Sequence, residues 1–333
     1  MGRTKQVLVG CRGDALSTLY LERVRTALKD AHPHAEFVDF REANARGGSA
    51  KQRAVATPLG AAVADAAYSR ETAIKRGDPR KAASGLIQKV AKGEIDIAVM
   101  DARWIPLQVQ APVEIAAVFE RTNPFDVLIA EANLILDEQP ENTCIASSEA
   151  VKRGQLLYYR PDLRLVEGND DFENLFVEMK SGAINAFVFP ASDVETLNQQ
   201  EHVVEVFTTS ICTPVAGQGA LALLARRDKK DVLAFLKGFN DPSTAAEVEL
   251  ERMFLERVTK DGKGPVGVLG NVEESEFELE ASIAAPDGSE KISGIMGGAL
   301  AERSRIIGKL AAELLMSGGE DIIAAYRKMR GSC

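Results

Sequence analysis

The feature that most constrains this chain is one pattern that runs twice. "QVLVGCR" reads as a buried strand that ends in a glycine turn, "STLYLERVRTALKDAHP" as a helix, and "AEFVDFR" as a second strand. Leu19, Val24 and Leu28 fall at helical spacing, and Pro33 stops the helix. "AASGLIQKVAKGEIDIAVM" continues as helix, glycine stop and strand. Near Pro124 the pattern restarts. "ENTCIAS", "LRLVEG" and "INAFVFP" read as strands, separated by the helices "SEAVKRGQLLYYRP" and "FENLFVEMKSG". Strands that alternate with helices make layered sheets with helical covers, so the reading is α/β, twice over.

After the strand "GQGALALLARR" the character changes. "AAEVELERMFLERV" is a helix, introduced by "DPST" with acidic residues in its first turns. "GVLGNV", "EFELEASIAA" and "KISGIMGG" read as strands. Phe277, Leu279, Ala281 and Ile283 alternate cleanly, and "PDG" is a hairpin turn. Two helices follow. The predicted organisation is a first α/β domain over 1–120 and 214–238, a second over 121–213, and a small C-terminal α+β domain over 239–333. A chain of 333 residues is too long for one ordinary core, which agrees with such a division. The stretch 42–81, rich in Ala, Gly, Arg and Lys, reads either as a solvated basic loop or as a lid over a cleft.

Composition excludes several function classes. The net charge of −9 does not favour nucleic acid, which needs a basic footprint. No apolar run is long enough for a bilayer or a signal peptide, so a cytoplasmic protein without membrane attachment is expected. Cys11, Cys144, Cys212 and Cys333 are widely spaced, and His32, His34 and His202 read as structural. Neither set suggests a metal site or a disulfide framework.

"GEIDIAVMDARWIP" holds the only tryptophan, Trp104, where a buried strand delivers side chains to a cleft. Several motifs around it resemble those of the porphobilinogen deaminase (hydroxymethylbilane synthase) family. "VGCRGDALS" resembles that family's G-T-R-x-S-x-L-A, and "DIAVMDARWIP" its D-I-A-V-H-S-x-K-D-x-P. "FERTNPFDVLI", "QLLYYRPDL", "TPVAGQGALAL" and "FNDPSTAAEVELERMFLERV" resemble four further family motifs, in the same order and at matching spacing. The resemblance covers nearly the whole chain. It implies two periplasmic-binding-protein-like α/β domains, a small C-terminal α+β domain and a monomer.

In that family a cysteine of the third domain carries a dipyrromethane cofactor as a thioether. An aspartate steadies the cation formed as ammonia leaves, and arginines clamp the substrate carboxylates. A carboxylate in a dry cleft suits a developing cation, and guanidinium forks suit a multi-anionic substrate. Under the resemblance, Arg103 stands at the lysine position, Trp104 at the aspartate and Gly262 at the cofactor cysteine. Ser148, Glu149, Ala150, Val151 and Lys152 stand at S-S-L-R-R, and Glu167 replaces an arginine before "GN". The substitutions fall on the chemistry while the packing motifs persist.

The expectation is therefore a family member without the usual dipyrromethane-dependent activity and with no cofactor. It would bind a small anionic or pyrrole-type ligand between its α/β domains. Arg12, Arg103, Trp104, Ser147, Ser148, Lys152 and Gln218 are the candidate binding residues. One alternative is an active synthase, with dipyrromethane, in which Asp101 replaces the lost aspartate and a different thiol such as Cys11 serves. Another is different chemistry on a tetrapyrrole-related substrate. Asp101 faces away from Trp104 in an extended strand, but a bend brings the two together. Trp104 is either an aromatic platform for a flat ligand or a filler of a collapsed cleft.

Overall fold

The computed structural model describes residues 6–42 and 79–331. Cys333 and residues 43–78, which hold most of the stretch read as a loop or lid, lie outside the described residues.

The first unit comprises β1 (Gln6–Arg12), α1 (Ala15–Ala31), β2 (Glu36–Glu42), α2 (Pro79–Lys92), β3 (Ile97–Asp101) and β4 (Val113–Val118). The second comprises β5 (Asp126–Ala130), β6 (Cys144–Ser147), α3 (Ala150–Tyr159), β7 (Arg164–Glu167), α4 (Phe172–Lys180), β8 (Ala186–Pro190), α5 (Ala191–Thr196) and β9 (Val203–Val206). The chain then returns to the first sheet through β10 (Leu221–Arg226) and α6 (Lys230–Leu236).

The sheet orders are β2-β1-β3-β10-β4 and β7-β6-β8-β5-β9. In each, three strands run parallel and the fourth is antiparallel to both its neighbours. The antiparallel places are taken by β5 and β10, the strands that follow the two crossings between units, 119–125 and 207–220. This is a periplasmic-binding-protein-like pair of α/β domains joined by two crossings.

Burial on both sheet faces explains why the central strands read as apolar runs. Val7, Val9 and Cys11 of β1 and Ile97 and Val99 of β3 pack beneath Leu21, Val24 and Leu28 of α1. On the opposite face, Ala98 and Met100 of β3 pack with Leu86, Ile87 and Val90 of α2. Asp14 starts α1 by accepting the Ser17 N–H at 2.8 Å, a cap worth about 1 kcal/mol. His32 stacks on Phe235 with ring centroids 3.6 Å apart, a packing role.

The third unit has α7 (Pro242–Thr259), the antiparallel sheet β11 (Val266–Glu273), β12 (Glu276–Ala284) and β13 (Lys291–Ala299), then α8 (Arg303–Leu314) and α9 (Glu320–Gly331). Phe277, Leu279, Ala281 and Ile283 all enter its core, as their alternation predicts. Helix α7 supplies Leu250, Phe254 and Val258 to that core, and its other face meets the crossings.

Two buried ion clusters pin those crossings. Glu251 of α7 accepts from Arg121 Nη1 at 2.6 Å and Nη2 at 3.2 Å, and from the Gly217 and Gly270 N–H groups at 2.6 and 2.9 Å. Lys152 of α3 donates to Asp126 at 2.8 Å, Gln218 at 2.9 Å and Glu149 at 3.0 Å. Gln218 in turn donates to the Pro124 carbonyl at 2.7 Å, which ties the returning crossing to the outgoing one.

Candidate functional site

In open α/β sheets the carboxyl ends of parallel strands face a crevice. Here Arg12 ends β1, Asp101 ends β3, Ser147 ends β6 and Pro190 ends β8. Between the two domains lies a cleft lined from the first by Arg12, Asp14, Tyr20, Asp101, Arg103 and Trp104. Ser148, Glu149, Asp170, Asp171, Glu173 and Asp193 are among the residues that line it from the second.

The segment after β3 bends at once. Ala102–Trp104 form a single 3₁₀ turn that Asp101 caps by accepting the Arg103 N–H at 2.9 Å. Two-residue strand alternation ends there, so Asp101 and Trp104 line the same cleft. The "GQG" loop packs behind the turn. A side chain at Gly217, whose φ is +81°, would place its Cβ 2.7 Å from the Ala102 carbonyl carbon, so this close approach requires glycine. From the other side, Arg252 of α7 donates to the carbonyls of Ile105, Pro106 and Leu107 at 2.9, 2.6 and 3.1 Å.

Arg103 is held inside the cleft, its side chain 5% exposed. Its Nε lies 3.3 Å from Asp101, its Nη2 donates to Asp193, and its guanidinium sits 4.9 Å from the Trp104 centroid. Tyr20 donates its hydroxyl to the other Asp193 oxygen at 2.7 Å. Burial, with Asp193 adding and Arg103 opposing, raises the Asp101 carboxyl from 3.8 to about 7. Burial disfavours the Arg103 charge, but Asp101 and Asp193 outweigh it and hold the guanidinium protonated.

The remaining candidates divide. Arg12 lines the cleft, 2.9 Å from Asp14 and 3.7 Å from Asp170, and Ser148 lines it too. Lys152 and Gln218 do not line it: they are spent on each other and on Asp126 and Glu149, in the cluster behind the cleft. Lys152 is buried, so it cannot meet a ligand carboxylate as its place in the motif suggests. Ser147 is also buried, and it is not among the lining residues. Cys11 turns into the apolar core, where burial pushes its thiol up to about 12. A thiol so held does not reach the cleft as a nucleophile.

The motifs did not single out Tyr20 or Asp193. They are partners 173 positions apart, and pairs at that separation leave no periodic signal. The cleft's charge is the larger surprise. Among the described lining residues, two guanidiniums, Arg12 and Arg103, stand with seven carboxyl groups: Asp14, Asp101, Glu149, Asp170, Asp171, Glu173 and Asp193. The cleft holds a cavity of about 70 Å³.

The loop at the family's attachment position holds no thiol to carry a dipyrromethane thioether. Gly262 lies on the loop between α7 and β11 with φ +75°, and its N–H bonds the Thr259 hydroxyl at 2.9 Å. A Cβ there would meet Leu107 at 3.1 Å. The loop offers no thiol, and Trp104 with its stacked arginine occupies the neighbouring cleft wall.

Comparison with known proteins places these features in a lineage. The model of the porphobilinogen deaminase, dipyromethane cofactor binding domain, matches residues 7–234. The porphobilinogen deaminase of Pelotomaculum thermopropionicum is 30% identical over 270 residues, covering 81% of this chain and 85% of that protein. That of Syntrophomonas wolfei is 31% identical over 254 residues, 76% of this chain and 83% of that protein. That of Desulforudis audaxviator is 29% identical over 324 residues, 97% and 98% of the two chains. Matched across both α/β domains, and by the longest of these alignments through the third, this chain belongs to the porphobilinogen deaminase family of tetrapyrrole biosynthesis.

Proposed function

We propose that the chain is a family member that has left the dipyrromethane-primed reaction and holds a small pyrrole-type ligand in its interdomain cleft. The observation that carries this reading is Gly262. The third-domain loop that brings a thiol to the cleft in the family has here a glycine of positive φ, packed on Leu107. The indole at the family's aspartate position supports it, since an indole carries no negative charge and offers only an N–H donor. The carboxyl groups of the lining can accept from pyrrole N–H donors, and Arg12 on the same wall can meet a carboxylate that such a pyrrole carries. The protein acts as a cytoplasmic monomer in this reading.

A second reading keeps the synthase activity, with Asp101 in the role of the family's aspartate. It is favoured by the bend after β3, which brings this carboxylate to the cleft beside Trp104. Incubation of the purified chain with porphobilinogen separates the two. The first reading predicts binding without formation of hydroxymethylbilane. Formation of the tetrapyrrole, lost in Asp101→Asn, establishes the second.

A further inference from the structure

Asp193 lies in the first turn of α5, in the second domain, and its side-chain partners come from the first. Tyr20 reaches it from α1 and Arg103 from the turn after β3. Tyr20 is 7% exposed and Asp193 1%, so both contacts are made out of water. Helix α1 packs directly on α5 around them.

We propose that Tyr20, Asp193 and Arg103 form a latch that holds the two α/β domains closed on each other with no ligand present. In a two-domain fold of this type, closure ordinarily depends on a ligand that binds the closed form better than the open one. Here the chain supplies both sides of that contact itself. One carboxylate of the second domain takes the hydroxyl and the guanidinium of the first. Because this pair is buried, removing Asp193 leaves Arg103 facing the cleft without its cross-domain partner, and closure loses its driving contact. Trp104, with the Arg103 guanidinium 4.9 Å from its ring centroid, stands on the cleft wall beside the latch. The latch does not depend on which ligand the cleft takes.

The test uses the full ligand-free chain, by small-angle X-ray scattering and amide hydrogen exchange. The wild type is expected to scatter as the closed form. Asp193→Ala is expected to enlarge the radius of gyration. It should also speed exchange of the amides of 102–105 and 191–196 by at least about tenfold, while the third-domain sheet keeps its protection. Tyr20→Phe should move both readouts in the same direction by less. If Asp193→Ala fails to fold, Arg103→Lys, which keeps the charge but loses the fork, takes its place with the same expected shifts. An open wild type overturns the latch. So does a folded Asp193→Ala, or its Arg103→Lys substitute, whose scattering and exchange match the wild type.

Discussion

The guanidinium of Arg103 lies 4.9 Å from the ring centroid of Trp104, its neighbour in sequence, while the same side chain reaches Asp193 across the cleft. The indole thus has one face covered by a cation of its own chain, and Arg80 stands 6.0 Å from its centroid. A flat ligand stacking on that face would have to displace the guanidinium. As the chain has one tryptophan, its emission reports this stack alone. Arg103→Ala should shift that emission to the red as water reaches the ring. An unchanged emission maximum would mean that the stack does not form in solution.

Glu251 is fully buried and accepts from Arg121, Gly217 and Gly270 together. Glu251→Ala leaves a buried guanidinium and two backbone N–H groups without their acceptor. The expected loss is about 3–5 kcal/mol of unfolding free energy, measured by urea titration. Glu251→Gln, which keeps an acceptor oxygen, should lose less. A loss of under about 1 kcal/mol in Glu251→Ala contradicts the role given to this cluster.

Asp101 should give a pH signature. Its carboxyl is raised from 3.8 to about 7, first by burial, so the native chain binds this proton more tightly than the unfolded chain does. Its contribution to stability is therefore fully present below pH 3.8, falls as pH rises toward about 7, and is flat above. The stability of the wild type minus that of Asp101→Asn should fall across this window, by up to about 1.4 kcal/mol per pH unit. A difference that rises with pH there would mean that the Arg103 charge dominates instead.

Restoring a thiol tests whether the loop alone excludes the cofactor. Gly262→Cys places a β-carbon at positive φ and 3.1 Å from Leu107, and should cost about 1–2 kcal/mol of stability. Its intact mass, after expression in cells that make porphobilinogen, should still equal the bare chain, because the cleft wall at Trp104 is unchanged. A mass gain equal to a dipyrromethane would show that the glycine is the whole barrier.

The layered architecture was legible because it rests on local periodicity. The apolar runs of β1, β3 and β10 and the alternation of β12 each report burial directly. The cleft was legible only where a motif names its residues, as at Arg12, Arg103 and Trp104. Lys152 shows the limit: the motif predicts its position and its charge but not the carboxylates of Asp126 and Glu149 that consume it. Asp193 shows the converse, since its meaning lies in Tyr20 and Arg103, 173 and 90 positions away. The face of Asp101 depended on a single 3₁₀ turn, which strand alternation does not foresee.

The most direct test of the central claim is the intact mass of the wild-type chain, purified from cells able to make porphobilinogen. The expected result is the mass of the bare polypeptide, which leaves the family's reaction without its primer. A mass excess equal to one dipyrromethane would contradict it, and peptide mapping would then have to find the thiol that carries the group.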